Sequence, residues 1–481
     1  RAQARPGHRH LSSRPAMASS RPLERLARIS GHVAVHGPAC ARPTRPAAVP
    51  VAAPGAAGAA AGGVLSGIRV VELATVVAAP TTCAYLADMG ADVIKIEAPH
   101  APDISRGWGG GDDPEQTAMP ELLEQLKAGK GGGGSAFVQI NRGKRSLLLD
   151  YQKPAGLQIL KRLIANADVF VTNVRLQSLQ KVGLDYEALS AEFPRLIYAH
   201  FTAYGRTGPK ANDPGYDFAA WWAHTGIMDI IRSSEDADMP RFPGAIGDNS
   251  TAVQLTGYIG LALFHRDRTG QGQLVDAALM RSGIAAIAQP LMQYAGGNDW
   301  AHGRGPLGIR ETTKIGERRT RITQTHFRCK DGVWVHLVGE DFKKHFKKTL
   351  GALGLSVKDV FGSERPEEVP WREATQVVDA VIATKTYDEW VEIFKKHDVW
   401  HQRIHRFEEM FSEEQAAQSG IFVRAPGVRH QLIGSPVLLS GQKAEPRSGA
   451  PGFGEHTVPI LQELGLSPQE VDNLRRDKVV G

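Results

Sequence analysis

Cysteine is nearly missing from this chain. Three residues, Cys40, Cys83 and Cys329, lie far apart with no CxxC pair among 481 positions. That spacing argues against a disulfide framework, a cysteine-built zinc site and a thiol-redox motif, and in favour of a reducing compartment. Long apolar runs are missing too: the longest are Ala-rich and broken by Gly, well short of the roughly 20 residues a spanning helix needs, so no membrane insertion is expected. A phosphate loop is absent from the Gly-rich insertion 107–135, because Gly129-Lys-Gly-Gly-Gly-Gly-Ser135 has no closing Gly-Lys-Ser/Thr and follows no strand. That insertion reads as a flexible surface loop with a short helix near Pro120 to Leu126. Gly303-Arg-Gly-Pro-Leu-Gly308 has the letters of a dinucleotide fingerprint, but a Pro interrupts it and no strand precedes it, so it also reads as loop.

Acids are missing from one end only. Residues 1–64 hold nine Arg, no Lys and the single acid Glu24, a net of +8, whereas the whole chain carries +6. Everything after residue 64 therefore sums to about −2, and the basic pI is no argument for nucleic-acid binding. The Arg-rich, Ala- and Ser-containing leader, ending in a low-complexity Ala-Pro-Gly stretch, has the composition of a disordered transit peptide and linker. Mitochondrial targeting is expected, with the plastid as alternative.

What is present after Gly67 is dense alternation. Strands are expected at Ile68 to Ala74, Val93 to Glu97, Val169 to Val171 and Leu196 to Phe201. Between them fall helices at Thr81 to Met89, Lys153 to Ala167 and Leu184 to Phe193. This spacing predicts βαβ units and a mostly parallel α/β sheet, whose ligands bind beyond the carboxyl ends of the strands. After a further strand and helix from Gln273 to Tyr294 the pattern changes. Thr325 to Cys329 and Val333 to Val338 flank Lys330-Asp-Gly332, a hairpin signal, and helices follow at Asp341 to Leu350, Trp371 to Ala383 and Tyr387 to His397. The expected division is a leader 1–64, a large domain 65–290, a smaller α+β domain 300–410 and a return of 411–481 to the large domain. His397, His401 and His405 share a helical spacing, but the segment Val399 to Ile404 reads as extended, which would scatter the imidazoles, so no metal site is expected.

One stretch organises the rest. Pro243-Gly-Ala-Ile-Gly-Asp-Asn-Ser-Thr251 delivers a carboxylate, Asp248, to the start of an apolar helix running from about Asn249 to Leu263. Its neighbours leave two roles open: Asp248 caps the helix, or it is a nucleophile or base kept ionised by the helix's positive end.

Several separated pieces together resemble the class III CoA-transferases, the CaiB/BaiF family. They are Leu65-Ser-Gly-Ile-Arg-Val-Val-Glu-Leu-Ala74 with Ala79-Pro80, Leu86-Ala-Asp-Met-Gly-Ala-Asp-Val-Ile-Lys-Ile-Glu97, Asn141-Arg-Gly-Lys-Arg-Ser146, Ala167-Asp-Val-Phe-Val-Thr-Asn173, Gly205-Arg-Thr-Gly-Pro209, Gly215-Tyr-Asp217, Gly247-Asp248, Thr269-Gly-Gln-Gly-Gln273 and Gly454-Glu-His-Thr457. They occur in family order over nearly everything after the leader. The resemblance implies a Rossmann-like large domain built from both chain ends, a smaller central domain and an interlocked homodimer. It implies acyl-CoA and carboxylic-acid substrates, with no permanently bound cofactor or metal.

The resemblance also assigns residues. Asp248 becomes the nucleophile, supported by Gly247, Tyr216, Asp217 and Trp108. N–H groups of the Gly247 turn would hold oxyanions. Coenzyme A contacts fall on Val76, Val77, Ala78, Leu149, Asn173, Val174, Arg175 and Lys181, with the two cations facing phosphates. Phe218, Trp221 and Trp222 suggest an apolar acyl pocket. Members resembling α-methylacyl-CoA racemase carry His where this chain has Tyr216; a phenol titrating near 10 is a poor base, so transfer is favoured over racemisation. A racemase or epimerase remains the alternative, and so does a CoA-binding homologue without turnover, because Ala98 stands where many members have a basic residue and no Gly-rich closing loop is recognisable between 295 and 320.

Overall fold

The computed structural model describes residues 63–108, 119–128, 133–232, 238–240, 244–297, 322–339, 341–362 and 371–481. Leader residues 1–62 and positions 303–308 lie outside them. Six strands form one parallel sheet: β1 (Arg69–Leu73), β2 (Asp92–Glu97), β3 (Arg145–Leu148), β4 (Val169–Thr172), β5 (Ile197–Thr202) and β6 (Gln273–Ala278). Their order is β3-β2-β1-β4-β5-β6, every neighbouring pair parallel. The direction of winding reverses between β1 and β4, so the crevice beyond the carboxyl ends of those two strands is where an open α/β sheet admits a ligand.

Helices cover both faces, which is why the strands read as almost unbroken apolar runs. On one face α1 (Ala78–Asp88) packs against α8 (Ile246–Thr269) over a cluster that includes Val70, Val93, Ala199, Trp221, Leu255 and Ile259. The opposite face packs α4 (Pro154–Ala165), α5 (Leu176–Val182) and α6 (Tyr186–Glu192) over Val71, Ile94, Leu160, Phe170 and Tyr198. Two short helices, α2 (Met119–Lys127) and α3 (Ser135–Asn141), stand between β2 and β3. A π-helical turn at Phe218–Ala223 and α7 (Ile227–Ile230) precede α8; α9 (Leu279–Ala286) and α10 (Ala288–Ala295) follow β6.

A separate cluster centred on Phe327, Val335, Trp390 and Phe394 holds the next segment together. There β7 (His326–Arg328), β8 (Trp334–Val338) and β9 (Trp400–Arg403) form an antiparallel sheet. It is accompanied by α11 (Lys347–Leu353), α12 (Val357–Phe361), α13 (Trp371–Ile382) and α14 (Tyr387–Lys396). The helix α15 (Glu414–Gln418) and the antiparallel pair β10 (Phe422–Val423) and β11 (Leu432–Ile433) lead on to α16 (Thr457–Glu463) and α17 (Pro468–Arg476). The last two helices return to the large sheet: Ile460, Leu461, Val471, Val479 and Val480 join its second cluster, and the Asp150 N–H donates to Val479 O at 2.8 Å.

Some elements escaped the sequence reading and others fall where it placed them. The helix expected from 184 to 193 is α6, started by Asp185, whose carboxylate accepts from the Ala188 N–H at 3.1 Å; α5, which the sequence did not suggest, precedes it and ends at Gly183, φ 65°. The strand β3 was hidden in a charged motif. In the insertion the expected short helix is α2, which buries Leu122 and Leu126. The segment past His397 is extended as expected: the edge strand β9 carries His401 and leaves His405 beyond it. Among the described residues no helix is long and apolar enough to cross a membrane.

Candidate active site

Helix α8 begins earlier than the sequence suggests, at Ile246, and ends at Thr269 with Gly270 in the left-handed conformation. Asp248 is therefore its third residue and not its cap. The position before the helix, Ala245, sits at φ 71° and offers no side-chain acceptor. The cap comes instead from thirty-one residues upstream. Asp217 Oδ1 accepts from the Asp248 N–H at 3.0 Å. Its other oxygen accepts from Trp222 Nε1 at 3.0 Å.

This arrangement corrects two expectations. The Asp248 side chain is free of the capping duty and accepts no hydrogen bond among the described residues. Equally, the Asp248 N–H is already taken by Asp217 and is not free to hold an oxyanion. It also reverses the electrostatic expectation. Burial first, and then the nearby Asp217 charge, push the Asp248 carboxyl up to about 7, so the helix's positive end is neutralised before it can depress that group. Asp217, only 3% exposed, is raised as well: its burial outweighs the neighbouring N–H groups that favour its charge.

Close contact is built in. A Cβ placed on Gly247 would lie 2.2 Å from Trp221 Cγ and 2.3 Å from Asp217 Oδ1. Only glycine lets the helix start approach both. Trp221 and Trp222 meet edge to face at 4.6 Å and are buried in the core. They are the floor under the two carboxylates, which removes them from the expected acyl pocket; Phe218 is partly buried against the same cluster. Tyr216 lies beside Asp217 in sequence and is 70% exposed.

The residues expected to contact coenzyme A divide. Val76, Val77 and Ala78 form the turn from β1 into α1, and Asn173, Val174 and Arg175 form the turn after β4, on either side of the reversal in winding. Asn173 ties the two turns: its Oδ1 accepts from the Thr75 N–H at 3.2 Å and its Nδ2 donates to Thr75 O at 2.8 Å. The buried His200, on β5, bonds Val174 O through Nε2 at 3.0 Å. Arg175 and Lys181 are exposed and form no ion pair among the described residues. One turn into α1, Thr82 Oγ1 donates to Ala252 O of α8 at 3.3 Å. The starts of α1 and α8 thus lie ~6 Å and ~9 Å along their helices from a shared contact. Leu149 does not join them. Its side chain is enclosed in the cluster on the opposite face, and it bridges Val480. Trp108 is partly buried, with Nε1 unpartnered among the described residues, and no contact links it to Asp248.

Sequence reading missed one functional group altogether, the buried charges under the β1 turn: Glu72, Lys95, Asp103 and Lys144. A signal existed, since Glu72 and Lys95 interrupt runs of Val and Ile in strands buried on both faces.

The sequence pattern of CoA-transferase family III matches residues 65–457. A succinate–glutarate CoA-transferase of Agrobacterium fabrum is 33% identical over 83% of this chain and 95% of its own. The cinnamoyl-CoA:phenyllactate CoA-transferase of Clostridium sporogenes is 28% identical over 86% of this chain and 96% of its own. Human alpha-methylacyl-CoA racemase is also 28% identical, over 86% and 97%. A crystal structure of a CaiB/BaiF family protein from Brucella suis superposes with a TM-score of 0.65 at 28% identity, covering 84% of this chain and all of that one.

The packing at the start of α8 makes a direct prediction. Gly247→Ala forces Trp221 and Asp217 apart and should lower stability by about 1–3 kcal/mol, read as a reduced midpoint in denaturant unfolding. An unchanged midpoint would contradict the geometry.

Proposed function

The chain belongs to CoA-transferase family III, and from that premise we propose that it moves coenzyme A from an acyl-CoA to a carboxylic acid through covalent intermediates on Asp248. One observation carries the reading. With Asp217 capping α8, the Asp248 carboxylate is left without a hydrogen-bond partner among the described residues at the helix start. In the proposed sequence an Asp248 oxygen attacks the thioester carbonyl, the C–S bond breaks, and a mixed anhydride and CoA thiolate result. The thiolate then attacks the aspartyl carbonyl, releasing the donor acid and leaving an aspartyl-CoA thioester. An acceptor carboxylate reverses both steps, so atoms and charge balance without an oxidant or a nucleotide. Tyr216 in place of His favours transfer over α-proton exchange. Trp108, still a candidate for covering the site, makes no contact with Asp248 that adds to the reading.

The same reading lays coenzyme A across the turns after β1 and β4, against Val76, Val77, Ala78, Asn173 and Val174, with its phosphates toward Arg175 and Lys181. It keeps the division into a large domain, 65–290 with 411–481, and a smaller one, 300–410. It also keeps a mitochondrial destination, with the plastid as alternative, on the strength of the Arg-rich leader. A homodimer is supported by an apolar stripe on α8, where Tyr258, Leu261 and Phe264 are 63%, 62% and 59% exposed.

Incubation with hydroxylamine and either succinyl-CoA or cinnamoyl-CoA should convert Asp248 to its hydroxamate, visible by peptide mass spectrometry. Asp248→Ala should cut kcat by about 10³-fold or more; an unlabelled Asp248 under turnover would sink the mechanism. Because only the ionised carboxylate attacks, kcat/KM should rise with pH and level off above an inflection near 7. Asp217→Asn removes one of the two causes of that elevation, so the inflection should move to lower pH; a shift upward would refute the electrostatic account. Sedimentation at micromolar concentration should show a dimer that Leu261→Glu dissociates, and a monomeric wild type would end that part of the reading.

A further inference from the structure

We infer that Asp103 is a positioning residue for coenzyme A: by accepting the Val76 N–H it holds the β1 to α1 turn in the one conformation that presents Val77 and Ala78 to the ligand. This rests on the proposed coenzyme A contacts of that turn. Val76 has φ 72°, and for a β-branched side chain the left-handed region is strongly disfavoured. Such a conformation persists only where the surroundings over-determine it. Here they do. Thr172 Oγ1 donates to Leu73 O at 2.8 Å, Lys95 Nζ donates to Ala74 O at 2.8 Å, Asn173 takes both polar groups of Thr75, and Asp103 Oδ1 accepts from the Val76 N–H at 3.1 Å. Four consecutive residues are thus gripped by side chains from β2, β4 and the segments just after them.

Asp103 is fully buried, and its charge requires a chain of partners. Its Oδ2 is 2.9 Å from Lys95 Nζ, which is 3.0 Å from Glu72 Oε1; Glu72 Oε2 is 2.6 Å from Lys144 Nζ. Two acids and two lysines, all buried, sum to zero. Burial opposes the Asp103 charge, but Lys95 and Ser105 more than compensate and hold its carboxyl below the usual range. Ion networks this deep rarely stabilise a fold better than apolar packing would, so their value lies in fixing geometry. This one ends on the backbone of the turn at the sheet's ligand crevice. Asp103 also accepts from the Ser105 N–H and hydroxyl, at 3.0 and 2.7 Å, which offers a simpler explanation as a local cap.

Calorimetric titration of the full chain with coenzyme A separates these roles. Asp103→Asn should weaken coenzyme A binding roughly 5- to 20-fold and raise KM for acyl-CoA in parallel, leaving kcat within about threefold. Val76→Gly adopts the same φ without strain, so in the Asp103→Asn background it should restore affinity to within about threefold of Val76→Gly alone. Ser105→Ala, which trims only the local cap, should bind normally. Loss of kcat without loss of affinity, equal weakening by Ser105→Ala, or additive effects in the double variant would each overturn the inference. Thermal unfolding of every variant distinguishes a misfolded chain, and Val76→Gly alone tests the turn if Asp103→Asn does not fold. A wild type that binds coenzyme A but is never labelled on Asp248 would refute the transferase mechanism and leave this inference standing.

Discussion

A buried carboxylate at a helix start is the constraint on which the site depends. Asp217 lies against the first turn of α8, where several N–H groups point outward without intrahelical partners, and it takes that of Asp248 together with the Trp222 indole N–H. That one substitution of roles has three effects. It satisfies the helix, it leaves Asp248 unpaired one residue past Gly247, and it sets a second negative group beside Asp248 in a poorly solvated place. A carboxyl near 7 is a stronger nucleophile when ionised than an ordinary one, at the cost of being partly protonated at neutral pH. Burial sets most of that balance, and the charge of Asp217 adds to it.

The turn after β1 uses the same device. Its backbone groups are satisfied by side chains brought in from neighbouring strands, and one of those side chains is a charge that needs three further charges to exist in the interior. Both turns stand at the carboxyl edge of the sheet, one opening α1 and the other α8, and the two helices touch within two turns of their starts. Rigid secondary elements thus carry two irregular turns whose main-chain hydrogen bonds leave little freedom, which is how a loop-borne site keeps its geometry.

Much of this was legible in the residues. The alternation of apolar strands and amphipathic helices identifies the parallel sheet because burial on both faces leaves a period-free apolar run, and β1, β2, β4 and β5 all fall where that pattern places them. β3 escaped because Arg145 and Ser146 begin it, and its burial is supplied by the returning chain end: the Ser146 hydroxyl accepts from the Gly454 N–H and Leu148 N–H bonds Thr457 Oγ1. Leu149 illustrates a different failure. A motif position carries over a place in the chain but not the face of the sheet its side chain occupies, and here the core encloses it.

The sequence by itself determined the α/β class, the family and the candidate nucleophile, since these follow from local periodicity and from ordered short motifs. Only the tertiary structure decided what each polar side chain does. On paper Asp248 reads equally as the cap of α8 or as a nucleophile, and Asp217 does not read as a cap at all. Which one caps is settled by a contact across thirty-one residues, through a glycine whose missing side chain makes room for it. The charge state of Asp248 is likewise a property of its surroundings, because desolvation and a neighbouring charge act through space and leave no trace in the order of residues.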